Sequence, residues 1–358
     1  MNKHVAITET SPREIKTADH LRGKRIVVTG ACGTVGQELV SQLLNRFEPA
    51  LLIGLDNNES ELAYLYELHR DRSNARFSLC DMRDQSALLR EIRNVDVIFH
   101  AAAYKHVYIC ERSPMEAIQT NILGVQNVIQ SALTNGVSEL VFTSSDKAVN
   151  PTNVMGTSKL MGERLVTAAA IDPNHAGVKF LSTRFGNVLG SRGSVIPIFL
   201  EQIRNGGPIT LSDPGMTRFV MTLDDSVRLT IASLMLGKAG DVVITKMPAI
   251  RITDLVEVVV RERAPKHGFR PGDIAVKIVG KRPGEKLYEE LMNDEEVRRS
   301  LELEQYFVVR PAIMSGPPDL ETYEGENYGE PQRPYNSANV EPLSQDAIFD
   351  LLRGSNLI

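Results

Sequence analysis

Ser145, Asp146 and Lys147 are consecutive and close the apolar run 139–143. A carboxyl and an amine side by side can divide the acid and base roles of a proton transfer. Lys159 follows shortly after, and Met155 stands four residues before it. That spacing puts both on one face where a helix starts. A lysine can titrate, whereas a thioether has no titratable proton. Each residue also has a plainer reading. Met155 fits a buried core position, Lys159 a solvated helix charge, and 145–147 a helix cap with surface charges. Three functional groups at one strand end favour chemistry.

The elements around them say where that strand end lies. Apolar runs at 25–29, 50–55, 76–79, 95–99, 139–143 and 179–183 alternate with helical patterns at 35–47, 59–70, 86–93, 114–135 and 158–171. This predicts an α/β fold, a doubly wound parallel sheet covered on both faces. Ligands in such folds bind at the carboxyl edge of the strands. Gly30, Gly33 and Gly36, with Thr34 and Val35 between them, follow the first strand and open a helix. Such a turn brings a pyrophosphate to backbone N–H groups at a helix N-terminus. Asp56 ends the second strand, where a carboxylate accepts from an adenosine ribose and repels a 2′-phosphate. NAD is expected over NADP, although Asn57 and Asn58 suit either. Asp81 and Met82 suit an adenine contact or a helix cap. Ala101, Ala102 and Ala103 suit a close backbone approach to the cofactor or simple small-residue packing. Beside a bound dinucleotide, Lys159 can hold the nicotinamide ribose and lower nearby pKa values.

Residues 21–185 are therefore expected to form the dinucleotide-binding domain, with 220–250 rejoining it through a helix at 223–236 and a strand at 241–244. Residues 186–219 and 251–310 are expected to form a smaller α/β substrate lobe, with helices at 253–263 and 285–301. The first twenty residues read as a tail or a short docking segment. Residues 311–342 read as irregular, and 343–352 as a final helix. Arg184, Asn187, Arg218, Arg282 and Glu285 are candidates for an anionic substrate, because the arginine fork pairs with phosphate oxygens. For each single arginine a surface salt bridge is the plainer reading.

Of 358 residues, 42% are apolar and 24% charged, ordinary for a water-soluble globular chain. The net charge of −5 implies no general affinity for nucleic acid or anionic membrane. Three widely spaced cysteines suggest reduced thiols and a cytoplasmic setting, and no pair has metal-ligand spacing. No window is long and apolar enough to span a bilayer.

Together these segments resemble the extended short-chain dehydrogenase/reductases, and more narrowly the polysaccharide-biosynthesis branch that contains UDP-N-acetylglucosamine 4,6-dehydratases. The resemblance runs over roughly 21–310. It is carried by the glycine turn at 29–36, the segments 100–107, 144–149 and 150–156, and the segments 184–194, 213–219 and 282–287. It implies a Rossmann fold in which Met155 occupies the place of a catalytic tyrosine. It implies an NAD enzyme that oxidises sugar C4, loses water across C5 and C6, and returns the hydride to C6. Ser145 would bond O4, Asp146 would protonate the departing C6 oxygen, and Lys147, with its pKa depressed near Lys159, would be the C5 base. Who deprotonates O4 stays open between Lys159 and Lys147, reached from Ser145 through water. Lys105 and His106 would touch the sugar. The resemblance also implies a homodimer through helices at 114–135 and 158–171. A UDP-N-acetylhexosamine C4 epimerase, or a non-catalytic nucleotide-binding regulator, are the alternative readings.

Overall fold

The structure is a computed structural model that describes residues 12–313, residue 323 and residues 328–358. Six strands supply the first half: β1 (Arg25–Thr29), β2 (Leu51–Asp56), β3 (Ala75–Leu79), β4 (Val97–His100), β5 (Glu139–Ser145) and β6 (Lys179–Phe185). Shorter strands follow: β7 (Asn187–Val188), β8 (Ile209–Leu211), β9 (Thr217–Met221), β10 (Val242–Thr245) and β11 (Ala249–Arg251). The last are β12 (Val276–Ile278), β13 (Glu290–Met292), β14 (Ser300–Glu302), β15 (Tyr306–Val309) and β16 (Tyr335–Asn336).

One nine-stranded sheet runs in the order β14-β15-β10-β6-β5-β4-β1-β2-β3. From β3 to β10 every neighbouring pair is parallel. The apolar runs that mark these strands are buried because helices cover both faces. On one face, helices Thr34–Arg46 and Leu223–Leu236 pack Leu39, Leu43, Val227 and Ile231 against Ile26 and Phe99. On the other, helices Gly124–Thr134 and Val154–Ile171 pack Val125, Ile129 and Val166 against Val27 and Phe142. The chain order reverses between β1 and β4, which opens the ligand crevice at their carboxyl ends.

The second lobe holds the sheet β11-β9-β7 and the pair β12-β8. Helices Val195–Arg204, Ile252–Arg263 and Gln345–Gly354 close over a separate core that includes Phe199, Val259 and Leu352.

Four expectations are corrected. Residues 12–20 of the segment read as a tail or a docking piece form, with Leu21, a helix and not a tail: Leu21 is buried and His20 lies 2.7 Å from Glu139; its amphipathic pattern is too short to stand out beside the polar residues before it. The helix expected from 158 starts at Val154, because the Asn153 side chain caps the Gly156 N–H at 2.8 Å. The expected helix 285–301 does not form. Its place is taken by β13, a one-turn helix Asp294–Val297 with its own capping box at Asn293, and β14. Tertiary pairing overrides the helical spacing there: β13 lies antiparallel to β16, and β14 to β15. The main sheet consequently gains two strands from 300–309, a stretch the sequence pattern assigns to the substrate lobe. Most of 314–327, within the stretch expected to be irregular, lies outside the described residues.

Candidate active site

The carboxyl edge of the sheet carries a cleft of about 540 Å³ lined by Gly30, Gly33, Thr34, Val35, Gly36, Ala101 and Ala103 on one wall, and by Ser145, Lys147, Met155, Lys159 and Asn187 on the other. The glycine turn fits a dinucleotide. A Cβ on Gly30, whose φ is +68°, would come within 2.6 Å of the Ala102 backbone nitrogen, and one on Gly36 would overlap the Gly30 carbonyl oxygen. Those close approaches seat the helix directly on the strand. Helix Thr34–Arg46 has no side-chain cap at Gly33, so its first N–H groups face the cleft for an anion. Asp56 accepts from the N–H groups of Cys32 at 2.9 Å and Asn58 at 3.0 Å. This fixes its carboxylate beside the turn. Asn57 bonds Asp81. Asp81 is held by Arg83, and Met82 is buried with its carbonyl accepting from Asn127 at 3.0 Å. Neither Asp81 nor Met82 lines the cleft.

Ser145 ends β5, and a tight turn, Asp146–Ala148, follows it. The turn is set by the Ser145 hydroxyl, which accepts from the Lys147 N–H at 3.2 Å and donates to Asp146 Oδ1 at 2.7 Å. Lys147 Nζ donates to the same Oδ1 at 3.0 Å and to Asn187 Oδ1 at 3.4 Å. Glu289 Oε1 lies 3.7 Å from it. Burial alone would pull the Lys147 ammonium down, but Asp146 and Glu289 outweigh burial and hold its pKa above the ordinary lysine value. That reverses the depression expected from the sequence. Lys159 behaves in the opposite way. Burial lowers it to about 8, with Glu163 opposing. Its Nζ donates to the Thr143 carbonyl at 2.9 Å and sits 4.8 Å from the Phe142 ring centre. Met155 is buried beside Cys110, Ala117 and Val154, with its flank in the cleft.

A second cavity, about 870 Å³, adjoins the first and is lined by His106, Lys147, Asn187, Arg218, Arg282, Glu285 and Glu289, among others. His106, Lys147 and Asn187 line both cavities. Lys147 therefore stands where they meet, with Ser145 on the first cavity and Asp146 fully buried behind them.

Two arginines behave differently from expectation. Arg184 never reaches either cavity. Its guanidinium is buried between Glu163 at 2.6 Å and Glu296 at 2.8 Å, with a further bond to the Leu291 carbonyl at 3.1 Å. All its donor directions are taken, so it is a structural tie and not a phosphate ligand. Arg218 reaches the cavity, but its fork is spent on the carbonyls of Thr217, Leu287 and Lys286. Arg282 is exposed and Glu285 half-buried in the cavity, where the Arg282 N–H donates to Glu285 Oε2 at 3.0 Å.

Sequence reasoning missed Glu289, the place of Arg112 in the lining of the second cavity, and the position of the loop 190–194 beside the first, although that loop lies in the segment 184–194 that carries the resemblance. Glu289 was hidden in the misassigned helix. Arg112 shows no signal beyond its charge. The loop carries two glycines with positive φ, Gly190 and Gly193, which are the cue that it turns sharply. It crosses the mouth of the cofactor cleft: Lys105 Nζ donates to the Arg192 carbonyl at 2.8 Å, and Arg192 pairs with Glu61 at 2.9 Å. Lys105 thus lies at the rim of the cofactor cleft. Among the described residues no cluster of acidic, histidine or cysteine side chains is placed to hold a metal, and no helix is long and apolar enough to cross a membrane.

Comparison with known proteins agrees with this architecture. An uncharacterized membrane protein of Methanocaldococcus jannaschii is 45% identical over 93% of this chain and 96% of its own length. A UDP-N-acetylglucosamine 4,6-dehydratase (inverting) of Campylobacter jejuni is 35% identical over 81% of this chain and 84% of its own. A UDP-glucose 4-epimerase of Rickettsia typhi is 35% identical over 92% and 95%. The chain spans 46% of the Staphylococcus aureus capsular polysaccharide biosynthesis protein CapD, at 39% identity. Among solved structures, Pen from Bacillus thuringiensis matches with a TM-score of 0.86 at 36% identity, covering 94% of this chain and 99% of Pen. The dTDP-glucose 4,6-dehydratase DesIV of Streptomyces venezuelae, crystallised with NAD, matches with a TM-score of 0.65 at 26% identity over 74% of this chain and 86% of DesIV. The family model described as polysaccharide biosynthesis protein matches residues 26–311, and the chain belongs to that family of extended short-chain dehydrogenase/reductases.

Proposed function

We propose that the chain is an NAD-dependent nucleotide-sugar 4,6-dehydratase that converts UDP-N-acetylglucosamine to a UDP-4-keto-6-deoxy-N-acetylhexosamine. The observation that supports this reading is Lys147 at the meeting point of the two cavities, joined through Asp146 Oδ1 to Ser145, with the thioether of Met155 beside them in the cleft. Bound NAD supplies a hydride acceptor for C4 and a hydride donor for C6. Ser145 takes the O4 proton. Its own hydroxyl donates to Asp146 Oδ1 at 2.7 Å, so the proton passes on to Asp146. This route is favoured over a relay to a lysine because the Ser145 hydroxyl already donates to Asp146, whereas Lys147 Nζ and Lys159 Nζ donate elsewhere, to Asp146 and Asn187 and to the Thr143 carbonyl. Asp146 then holds the proton that the departing C6 oxygen needs. Lys147 takes the C5 proton, which the C4 ketone has acidified. Arg282 binds the diphosphate, and His106, which lines both cavities, meets the sugar.

The reading is tested by incubating the protein with NAD and UDP-N-acetylglucosamine. The expected product has lost one water and carries a ketone. A C4 epimer with no water lost would favour the second reading, an epimerase, which the near full-length Rickettsia match supports. Absence of both turnover and sugar binding would point to the regulatory reading. Asp56 beside the glycine turn makes NAD the expected cofactor. Titration is expected to find NADP weaker; NADP binding tenfold tighter, about 1.4 kcal/mol, would overturn that choice.

A further inference from the structure

Glu289 is the least explained charge near the turn. Its side chain is 5% exposed, yet it borders the larger cavity. Oε1 lies 3.7 Å from Lys147 Nζ and 3.6 Å from Arg218 Nε. Oε2 is buried without a hydrogen-bond partner among the described residues. Its backbone is fixed on both sides by Ser337, whose hydroxyl accepts from the Glu289 N–H at 3.0 Å and whose N–H donates to the Glu289 carbonyl at 2.8 Å. A carboxylate kept this dry and half-bonded is costly unless it does something.

Lys147 presents the complementary difficulty. Flanked by Asp146 and Glu289, it rests as an ammonium, and an ammonium is no base. We infer that Glu289 is the positioning residue for the Lys147 amine: the pair shares one proton, and Glu289 holds it whenever Lys147 acts as base. The inference rests on the dehydratase reading. Burial raises the Glu289 pKa against the pull of Lys147, Arg218 and Lys286, and Asp146 adds to the rise, which makes its carboxylate a better proton acceptor than an ordinary one.

The step balances. An Nζ–H bond breaks and a Glu289 O–H bond forms, leaving the electron pair on Nζ. That pair takes the C5 proton, the C5–H electrons form the C5–C6 double bond, and the C6 oxygen leaves as water with the proton of Asp146. When hydride returns to C6, Lys147 gives its proton back to C5 and Glu289 restores the ammonium.

The charged groups that face the pair are Asp146 on the turn after β5, Arg218 on β9 and Lys286 before β13. His106, Glu111, Arg112, Arg282 and Glu285 line the cavity around them. None of these is altered in a Glu289→Gln variant, which is isosteric.

A shared proton has a kinetic signature. The ion pair and its neutral form contain the same number of protons, so their ratio is independent of pH. The wild-type kcat is therefore expected to be flat between about pH 6 and 9, around the middle of the interval separating ordinary carboxyl and lysine values. In Glu289→Gln the amine forms only by losing its proton to solvent. The kcat is then expected to drop most at low pH and to climb about tenfold per pH unit, with KM nearly unchanged. Glu289→Asp is expected to restore a flat profile. A Glu289→Gln loss that is equal at every pH, or no loss, would overturn the inference and leave Glu289 a structural residue. A second measurement needs no turnover. Lys147 acetylation by acetic anhydride, followed by mass spectrometry against pH in protein that still binds NAD, reads its apparent pKa. That value is expected to fall in Glu289→Gln; an unchanged value refutes the coupling even if the protein proves not to be a dehydratase.

Discussion

Two lysines near one another are tuned in opposite directions, and the difference is what each has for company. Lys147 sits between two carboxylates, whereas Lys159 sits on a backbone carbonyl and an aromatic face. Lys147→Ala is expected to remove the C5 base and cost ~10²–10⁴ in turnover while NAD binding persists. Met155→Ala is expected to cost far less, because the thioether moves no proton. Equal damage from both in folded protein would return the chemistry to position 155. Lys159 also leaves a mark on stability. Its folded pKa is about 8 against an ordinary 10.5, so between those values the folded state binds fewer protons than the unfolded one. Stability of the cofactor-free protein is therefore expected to rise with pH across that window. Below it the penalty is constant, on the order of 3 kcal/mol. Denaturant unfolding at a series of pH values reads this slope, and Lys159→Met is expected to flatten it.

At the scale of elements, Arg184 joins three pieces that are far apart in sequence. It lies on β6, Glu163 on helix Val154–Ile171, and Glu296 on helix Asp294–Val297. Arg184→Met leaves two buried carboxylates without their cation, and is expected to lower stability by about 3–5 kcal/mol, read as a fall in Tm. A change below 1 kcal/mol would mean that water reaches the two glutamates. The main strands, the glycine turn and the 145–147 turn were legible because their signals are local: apolar runs, glycine spacing and strand-end polarity. Glu289 was not. Its neighbours Leu287 and Leu291, and then Val297 and Leu301, stand four apart as on a helix, and the strand that pairs with 290–292 is 335–336. Arg184 was misjudged for a related reason, since both of its partners are distant in the chain and one lies in that same misassigned stretch. Asn121 is a third case. A wide turn of helix at Gln119–Leu123 aims its side chain at the Tyr104 backbone, at 2.8 Å and 2.9 Å, and at Ser158, also at 2.9 Å. Nothing in the local pattern marks that irregularity, which braces the loop leading to Lys105 and His106.

For the whole molecule, one face remains apolar. Ile109 is 56% exposed, Met115 59%, Leu123 52% and Met161 45%, all on the helices from 107 to 123 and Val154–Ile171. Side chains of this size leave water when a second copy meets them across a two-fold axis. Sedimentation at micromolar concentration is expected to give a dimer; a single species of 39.6 kDa would refute it. The return of the chain to pair β16 with β13 has a temporal consequence. Every candidate cofactor residue, and all of Ser145, Asp146, Lys147 and Lys159, precede residue 160, and the parallel strands close with β10 at Thr245. Ser337, which clasps Glu289 from both sides, is translated long afterwards. A chain emerging from the ribosome can thus shape its dinucleotide cleft before the clasp on Glu289 has been made. Under the proposed function, the residues that hold cofactor precede in the chain the clasp that the sugar chemistry needs.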